Sequence, residues 1–407
     1  MNHQKELMRL AAVGSVDDGK STLIGRLLYD SGSLTTDQIE SVKAASASGR
    51  LDYSLFTDGL KREREEGITV DVAYRYFETA RRKFIFADTP GHVEFTRHMV
   101  TGASTANMAL ILIDATKGIQ EQTRRHTYIS SLLQVPHLVL CVNKMDLVDF
   151  KEEVFEKIVQ EFTKFSTKFA INDIHVIPVS AREGDNIVYR SDRMRWYDGP
   201  TLKYLLDHVH IASDWNYIDA RMPVQAVMNG NVCKVAGSIV SGVLKPGDDV
   251  VVSPGGDEAT IEAIAIGDKI VNKAVAPSSV TIDLSGGVKV SRGDMISRKG
   301  NQPKVANEFD AMTCWLSEEQ LSVGKPYSIM HGTMKATATI DKVVYKVDVQ
   351  TLKRDASDRV GLNDIARLTL KTDRPICFDP YRRNRSTGSF ILIDPESRET
   401  AAAGMIV

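Results

Sequence analysis

"GSVDDGKST" runs from Gly14 to Thr22, directly after the apolar run Leu10-Ala11-Ala12-Val13 and at the head of a helical stretch, "KSTLIGRLLYD". The spacing Gly14-x-x-x-x-Gly19-Lys20-Ser21, set between a strand and a helix, separates a phosphate-binding loop from a chance glycine turn. Its glycines let backbone N–H groups curl around a phosphate, and the helix N-terminus adds positive potential. Gly14, Ser15, Val16, Asp17, Asp18, Gly19, Lys20, Ser21 and Thr22 are therefore candidate ligand-binding residues. Lys20 would reach the β- and γ-phosphates, and the Ser21 hydroxyl would bind Mg2+.

Outward from the loop, short apolar runs alternate with amphipathic stretches up to about residue 210. "RKFIFADTPG" (Arg82 to Gly91), "ANMALILIDA" (Ala106 to Ala115) and "PHLVLCVNKMD" (Pro136 to Asp146) read as strands buried on both faces, with "QTRRHTYISSLL", "KEEVFEKIVQEFTKF" and "GPTLKYLLDHV" as helices. Strand–helix alternation of this kind predicts an α/β domain with a mostly parallel sheet and helices on both faces. Ligands of such sheets bind beyond the carboxyl ends of the strands, so the polar residues there are candidates for one site. After about residue 220 the rhythm becomes all-β, with short strands rich in Val, Ile and Thr joined by Pro-Gly and Gly-Gly turns. Two small β-barrels are expected, joined near "NQPKVANEF" (Asn301 to Phe309). The domain boundaries expected are 1–215, 216–303 and 304–407.

The phosphate loop does not name the nucleotide; "NKMD" (Asn143, Lys144, Met145, Asp146) does. A carboxylate at Asp146 can accept from both N1–H and the 2-amino group of guanine, a pair adenine lacks, and buried polar pairing of this kind discriminates by about 10⁴–10⁵. Asn143 would tie this loop to the phosphate loop, and the Lys144 stem would cover the base. "PVSAREGDN" supplies the other edge, with Ser180 and Ala181 presenting a backbone N–H to guanine O6. "DTPGH" (Asp88, Thr89, Pro90, Gly91, His92) completes the γ-phosphate side: Asp88 would hold Mg2+ through a water, the Gly91 N–H would sense the γ-phosphate, and His92 could orient the hydrolytic water. In "REREEGITVD", Thr69 suits the metal and the attacking water, and Gly67 gives that segment freedom to move. Lys20, Thr69 and His92 are the candidate catalytic residues, and Ser21, Thr69 and Asp88 the candidate metal ligands. The reading thus calls for GTP and Mg2+.

Composition narrows the setting. At 407 residues the chain is too long for one ordinary core, while 43% hydrophobic and 26% charged content are those of a globular protein. Lys and Arg at 51 against Asp and Glu at 53 leave a net charge of -2, so no global basic footprint points to stable nucleic-acid binding. The four cysteines, Cys141, Cys233, Cys314 and Cys377, form no C-x-x-C pair, which fits a reducing compartment. The apolar run near the N-terminus is short for a signal peptide, and no stretch approaches the roughly 18 apolar residues of a membrane span, so a cytoplasmic protein without membrane contact is expected.

These boxes, in this order, resemble the GTPase domain of the translation-factor superfamily; "REREEGIT" and "DTPGH" are characteristic of it, and an α/β domain followed by two barrels looks like the elongation-factor arrangement. Within it the chain is most similar to the large, GTPase subunits of bacterial sulfate adenylyltransferases. "GSVDDGKSTLIGRLLYD", "DGLKREREEGITVDVAYRYFETARRKFIFADTPGH", "TGASTANMALILIDATKGIQEQTRRHTYISSLL", "NKMDLVDF" and "WYDGPTL" carry that resemblance, as does Asp18, where elongation factors usually have His. It implies a small catalytic subunit as partner, in a heterodimer or higher heteromer. That subunit would condense ATP with sulfate to adenosine 5′-phosphosulfate and pyrophosphate, driven by GTP hydrolysis on this chain. No second phosphate loop appears, so a fused adenylylsulfate kinase domain is not expected. The alternative is an elongation-factor-like GTPase binding aminoacyl-tRNA, against which Asp18 and the divergent tail "SRETAAAG" weigh.

Overall fold

A computed structural model of the chain describes residues 5–46, 51–57, 72–92, 96–169, 171, 173–211, 216–228 and 233–407. Thr69 and Gly67 lie outside the described residues. The chain divides into two compact units, Met1–Ile211 and Ala212–Val407.

The first unit is built on a six-stranded sheet in the order β2-β3-β1-β4-β5-β6 among the described residues. Its strands are β1 (Glu6–Val13), β2 (Ala73–Glu78), β3 (Arg82–Asp88), β4 (Met108–Asp114), β5 (His137–Asn143) and β6 (Asp173–Pro178). All neighbours pair in parallel except the edge strand β2, which runs antiparallel to β3. Helices α1 (Lys20–Asp30), α2 (Thr36–Ala45), α3 (Thr96–Ser104), α4 (Glu121–Leu132), α5 (Glu152–Ser166) and α6 (Leu202–His208) lie between and after the strands. Local chemistry sets several of their ends. Thr35 and Gln38 form a reciprocal capping box on α2, and the Thr201 hydroxyl accepts from Tyr204 N at the start of α6. Along α5, Ile158, Phe162 and Phe165 recur on one buried face.

The core explains the strand composition. Every residue of β4 and β5 is buried, as expected for central parallel strands covered on both faces. β3 departs from that expectation: Phe84 and Phe86 are buried on one face, but Lys83 on the other is exposed and Ile85 half-exposed. Among the described residues, helix cover meets that second face at its carboxyl end, where Gly102 of α3 stands against Ala87. A sequence run cannot report where its cover stops.

The strand carboxyl ends converge. Ala12 is level with Asp88, Asp114 with Asn143 and Val142 with Pro178. Strand order reverses around β1, the crevice position at which doubly wound sheets hold ligands.

The second unit holds two closed barrels. Strands β7 (Arg221–Met228), β8 (Cys233–Ile239), β10 (Asp249–Ser253), β11 (Asp257–Ile266), β14 (Ser278–Leu284) and β15 (Met295–Arg298) form the first, closed by the β10–β11 pairing. Short strands β9 (Val243–Leu244), β12 (Lys269–Ile270) and β13 (Ala274–Val275) are appended to it. Strands β16 (Lys304–Trp315), β17 (Pro326–His331), β18 (Met334–Val347), β20 (Ile365–Phe378), β21 (Ser389–Ile393) and β22 (Thr400–Ile406) form the second, closed by β17–β18, with β19 (Arg354–Asp355) at its margin and the short α7 (Arg385–Gly388) before β21. Closure removes the free sheet edges that two sets of short strands would otherwise expose. The joint is tighter than the expected Asn301–Phe309, because Lys304 already opens β16. "SGGVKV" ends β14 in a turn at 285–287, as expected of a strand turn. The four cysteines are free thiols, and no helix among the described residues is long and apolar enough to cross a membrane.

Candidate nucleotide-binding site

The phosphate loop leaves β1 at Val13 and re-enters helix at Lys20. Gly19 sits at φ 91, where a side chain is strained, and a Cβ there would also overlap Asn143 Nδ2. Lys20 is buried, and its Nζ donates to the Gly14 carbonyl at 3.0 Å and the Ser15 carbonyl at 2.8 Å, lying across the loop it follows. Burial pulls its ammonium below the ordinary lysine range, opposed by the charges of Asp88 and Asp18. Asp18 is buried too, accepting from Ser15 N at 2.7 Å; burial raises its carboxyl despite the pull of Lys20. Asp17, Ser15 and Val16 line the more open side of the loop, with Asp17 at φ 65 and exposed.

The "DTPGH" turn closes against this loop. Ser21 Oγ donates to Asp88 Oδ2 at 3.3 Å, which brings two of the candidate metal ligands together. The Thr89 hydroxyl donates to the Ala12 carbonyl at 2.5 Å, anchoring the turn to β1. Gly91 has no room for any side chain: a Cβ would stand 2.6 Å from Lys20 Nζ and 2.8 Å from Gly14 O. Gln122 of α4 donates to the Gly91 carbonyl at 3.4 Å, a contact no motif announced. His92 is exposed beside Gly91, and Pro90, before it, is buried. Thr69 cannot be placed relative to them, being outside the described residues.

Asn143 joins the two ends of the site. Its Nδ2 donates to the Asp18 carbonyl at 2.7 Å, and its Oδ1 accepts from Ala181 N at 2.9 Å. The Ser180–Ala181 turn, read in sequence as presenting a backbone N–H to guanine O6, has both of its N–H groups engaged within the chain, Ser180 N by Asp185 O and Ala181 N by Asn143 Oδ1. Asp146 is oriented by Ser180, whose hydroxyl donates to Oδ1 at 2.6 Å. Met145 is buried beneath, its N–H donating to Val179 O at 3.3 Å. Lys144, at φ 61, extends to Asp114 Oδ2 at 2.8 Å at the end of β4. Burial alone would raise the Asp114 carboxyl, but hydrogen bonds from Lys144 and Thr116 outweigh it and hold the group down. Asp114, at the end of β4, is covered in sequence only by the general expectation for polar strand ends and is given no role of its own there. Thr22 follows Ser21 in the first turn of α1, half-buried.

Comparison with known proteins bears on this geometry. Residues 5–228 match the elongation factor Tu GTP binding domain family, and residues 308–407 match the GTP-eEF1A C-terminal domain-like family. Sulfate adenylyltransferase subunit 1 of Bacteroides fragilis (strain YCH46) is 48% identical over 413 residues, covering 100% of this chain and 87% of that one. The chain belongs to the sulfate adenylyltransferase subunit 1 family. The bifunctional enzyme CysN/CysC of Mycobacterium tuberculosis (strain ATCC 25618 / H37Rv) is also 48% identical, across 98% of this chain and 67% of that protein. Subunit 1 of Aliarcobacter butzleri (strain RM4018) is 46% identical across 100% of this chain. The α/β unit is accordingly a GTP-binding domain of the elongation-factor type, and the two barrels complete the expected fold class.

Proposed function

We propose that this chain is the GTP-hydrolysing, energy-coupling subunit of a sulfate adenylyltransferase, acting on a small catalytic subunit that makes adenosine 5′-phosphosulfate and pyrophosphate from ATP and sulfate. The observation that carries the reading is the pair of hydrogen bonds made by Asn143, donated to the phosphate loop on one side and accepted from the Ala181 turn on the other, with Asp146 held by Ser180 beside it. That constellation fits a guanine base at one end and a phosphate chain at the other. The names carried by the relatives supply the reaction class and the second subunit. The working division is a nucleotide domain over 1–215 and barrels over 216–303 and 304–407.

The residues present fit Mg2+. Ser21 Oγ and Asp88 Oδ2 are hard oxygen donors 3.3 Å apart at the mouth of the phosphate loop, and no cluster of three His, Cys, Asp or Glu stands among the described residues. Magnesium characteristically takes one or two such ligands and completes its shell with phosphate oxygens and water. When bound, the ion would neutralise charge on the β- and γ-phosphates. Lys20 adds a second positive charge there, Gly91 offers its N–H to the γ-phosphate, and His92 orients the attacking water. Thr69 belongs to the same reading. Coupling then requires the partner to bind the two nucleotide states with different affinity, because otherwise hydrolysis shifts nothing.

His92→Ala tests this directly. GTP binding should persist, hydrolysis should fall about 10²-fold as for loss of one acid–base or water-orienting group, and adenosine 5′-phosphosulfate formation in the reconstituted complex should fall with it. Phosphosulfate formation that continues at the full rate while hydrolysis is lost would refute the coupling.

A further inference from the structure

The stretch from Asp185 to Pro200, "DNIVYRSDRMRWYDGP", includes the "WYDG" run, which has no part in holding phosphate, metal or base in the site above. It nevertheless touches both loops assigned to the base. On one side Asp185 pairs with the start of the Ser180–Ala181 turn: Ser180 N donates to Asp185 O at 3.3 Å, and Gly184 N returns to Ser180 O at 2.7 Å. The Asp185 carboxylate is buried and fully engaged, accepting from Ser191 Oγ at 2.6 Å and from Arg193 Nε at 3.2 Å and Nη2 at 2.5 Å. Asn186 fixes the same turn to the sheet, donating from Nδ2 to Pro178 O at 2.9 Å and accepting from Ser191 N at 2.9 Å.

On the other side the stretch holds the exit of the "NKMD" loop. Trp196 Nε1 donates to the Phe150 carbonyl at 3.0 Å, and the Arg193 guanidinium lies over the Phe150 ring at 4.3 Å. Phe150 needs holding. It and Asp149 sit at φ 55 and 53, left-handed conformations that non-glycine residues disfavour. Phe150 N donates to Met145 O at 2.9 Å, so the strained exit is bonded straight back to the residue before Asp146. The Trp196 ring is seated against Phe155 of α5 at 5.2 Å, and the Tyr197 hydroxyl donates to Val176 O of β6 at 3.2 Å.

Arg193 is thus bonded to the loop that carries Ser180 and Ala181 while stacking on the loop that carries Asp146. The geometry points to a clamp: Asp185, Arg193 and Trp196 are positioning residues that fix the two base-recognition loops relative to each other, and thereby set the selectivity for guanine. The inference rests on the guanine reading of Asp146. Asp146 can meet both N1–H and the 2-amino group only if its carboxylate plane is held, and hydrogen bonds lose strength steeply with misalignment. A loosened clamp costs first the contact that depends most on angle, the one to the 2-amino group.

The test compares GDP with inosine diphosphate, which lacks only that amino group, by calorimetric titration of the full chain. Trp196→Phe removes the indole N–H but keeps a ring against Phe155; Arg193→Met keeps the stem and removes the guanidinium. Each should lower the ratio of GDP to inosine diphosphate affinity about three- to tenfold, the scale of one weakened hydrogen bond, and raise the KM for GTP while kcat holds. A merely structural fault would lower the binding-competent fraction for both nucleotides and leave the ratio unmoved. A wild-type ratio retained by both variants overturns the clamp. A wild-type chain indifferent to the 2-amino group overturns the guanine reading itself, and the clamp with it.

Discussion

Replacing Asp146 by Asn is expected to turn a guanine site into a xanthine site. The carboxylate accepts twice, and guanine offers two donors, N1–H and the 2-amino group. An amide offers one acceptor and one donor, so against guanine its N–H groups face the 2-amino donor. Xanthine carries a carbonyl at that position and restores the match. Ser180 sharpens the outcome, because its hydroxyl donates to Asp146 Oδ1 at 2.6 Å and will select the rotamer that keeps an oxygen there. The amide nitrogen is then left facing the base. One charge-assisted hydrogen bond of about 1.5–3 kcal/mol is lost from GTP and the other becomes a neutral one, so its affinity should fall about 10–10³-fold. Xanthosine triphosphate should gain correspondingly. Competitive titration with GDP and xanthosine diphosphate measures both arms; undiminished preference for the guanine nucleotide would mean that Asp146 does not face the base.

The second large effect is on stability and lies in the barrels. Arg221, at the first residue of β7, is fully buried, with its Nε and Nη2 donating to the two carboxylate oxygens of Asp379 at 2.8 and 2.9 Å. Its Nη1 donates to Asn301 O at 2.7 Å and to Ala220 O at 2.9 Å. Asp379 follows β20 and takes one further bond, from Thr387 Oγ1 at 2.7 Å. Beside it, Arg383 donates to Asp219 at 2.8 and 2.6 Å, and Asn301 Nδ2 donates to Asp219 at 2.9 Å. One barrel is therefore bolted to the other through the joint. Arg221→Met leaves the Asp379 charge buried with little but a hydroxyl, and breaking one side of such a pair costs about 3–5 kcal/mol. Replacing Asp379 by Leu as well should recover most of the loss, since the desolvation penalty goes with both charges. Urea unfolding of the full chain, followed through Trp315, which is buried in the second barrel, reads the shift. A single-variant loss below about 1 kcal/mol would show the pair to be dispensable.

Local chemistry made the phosphate loop, "DTPGH" and "NKMD" readable, because each needs specific residue types at fixed spacing on the end of an apolar strand. The Asn143 link to the phosphate loop was legible for the same reason and is present; the bond it accepts from Ala181 N was not expected. Other features were not legible. The exposed face of β3 depends on how far α3 reaches, which no strand pattern encodes. Barrel closure through β7–β15 and β16–β22 depends on pairings distant in sequence. Arg221 looks in sequence like any surface arginine at a strand start, and only its partner 158 positions away makes it structural. The clamp is hidden likewise: Asp185, Arg193 and Trp196 sit in a non-periodic loop, and their meaning lies in what they touch.

The coupling claim is tested most directly by the steady-state GTPase rate of the chain in three mixtures: alone, with the small catalytic subunit plus ATP and sulfate, and with ribosomes. Partners accelerate slow GTPases of this fold by up to about 10⁵-fold. The account predicts a low basal rate that rises with the small subunit and its substrates and does not respond to ribosomes. A rate unchanged by the small subunit, ATP and sulfate together would contradict it.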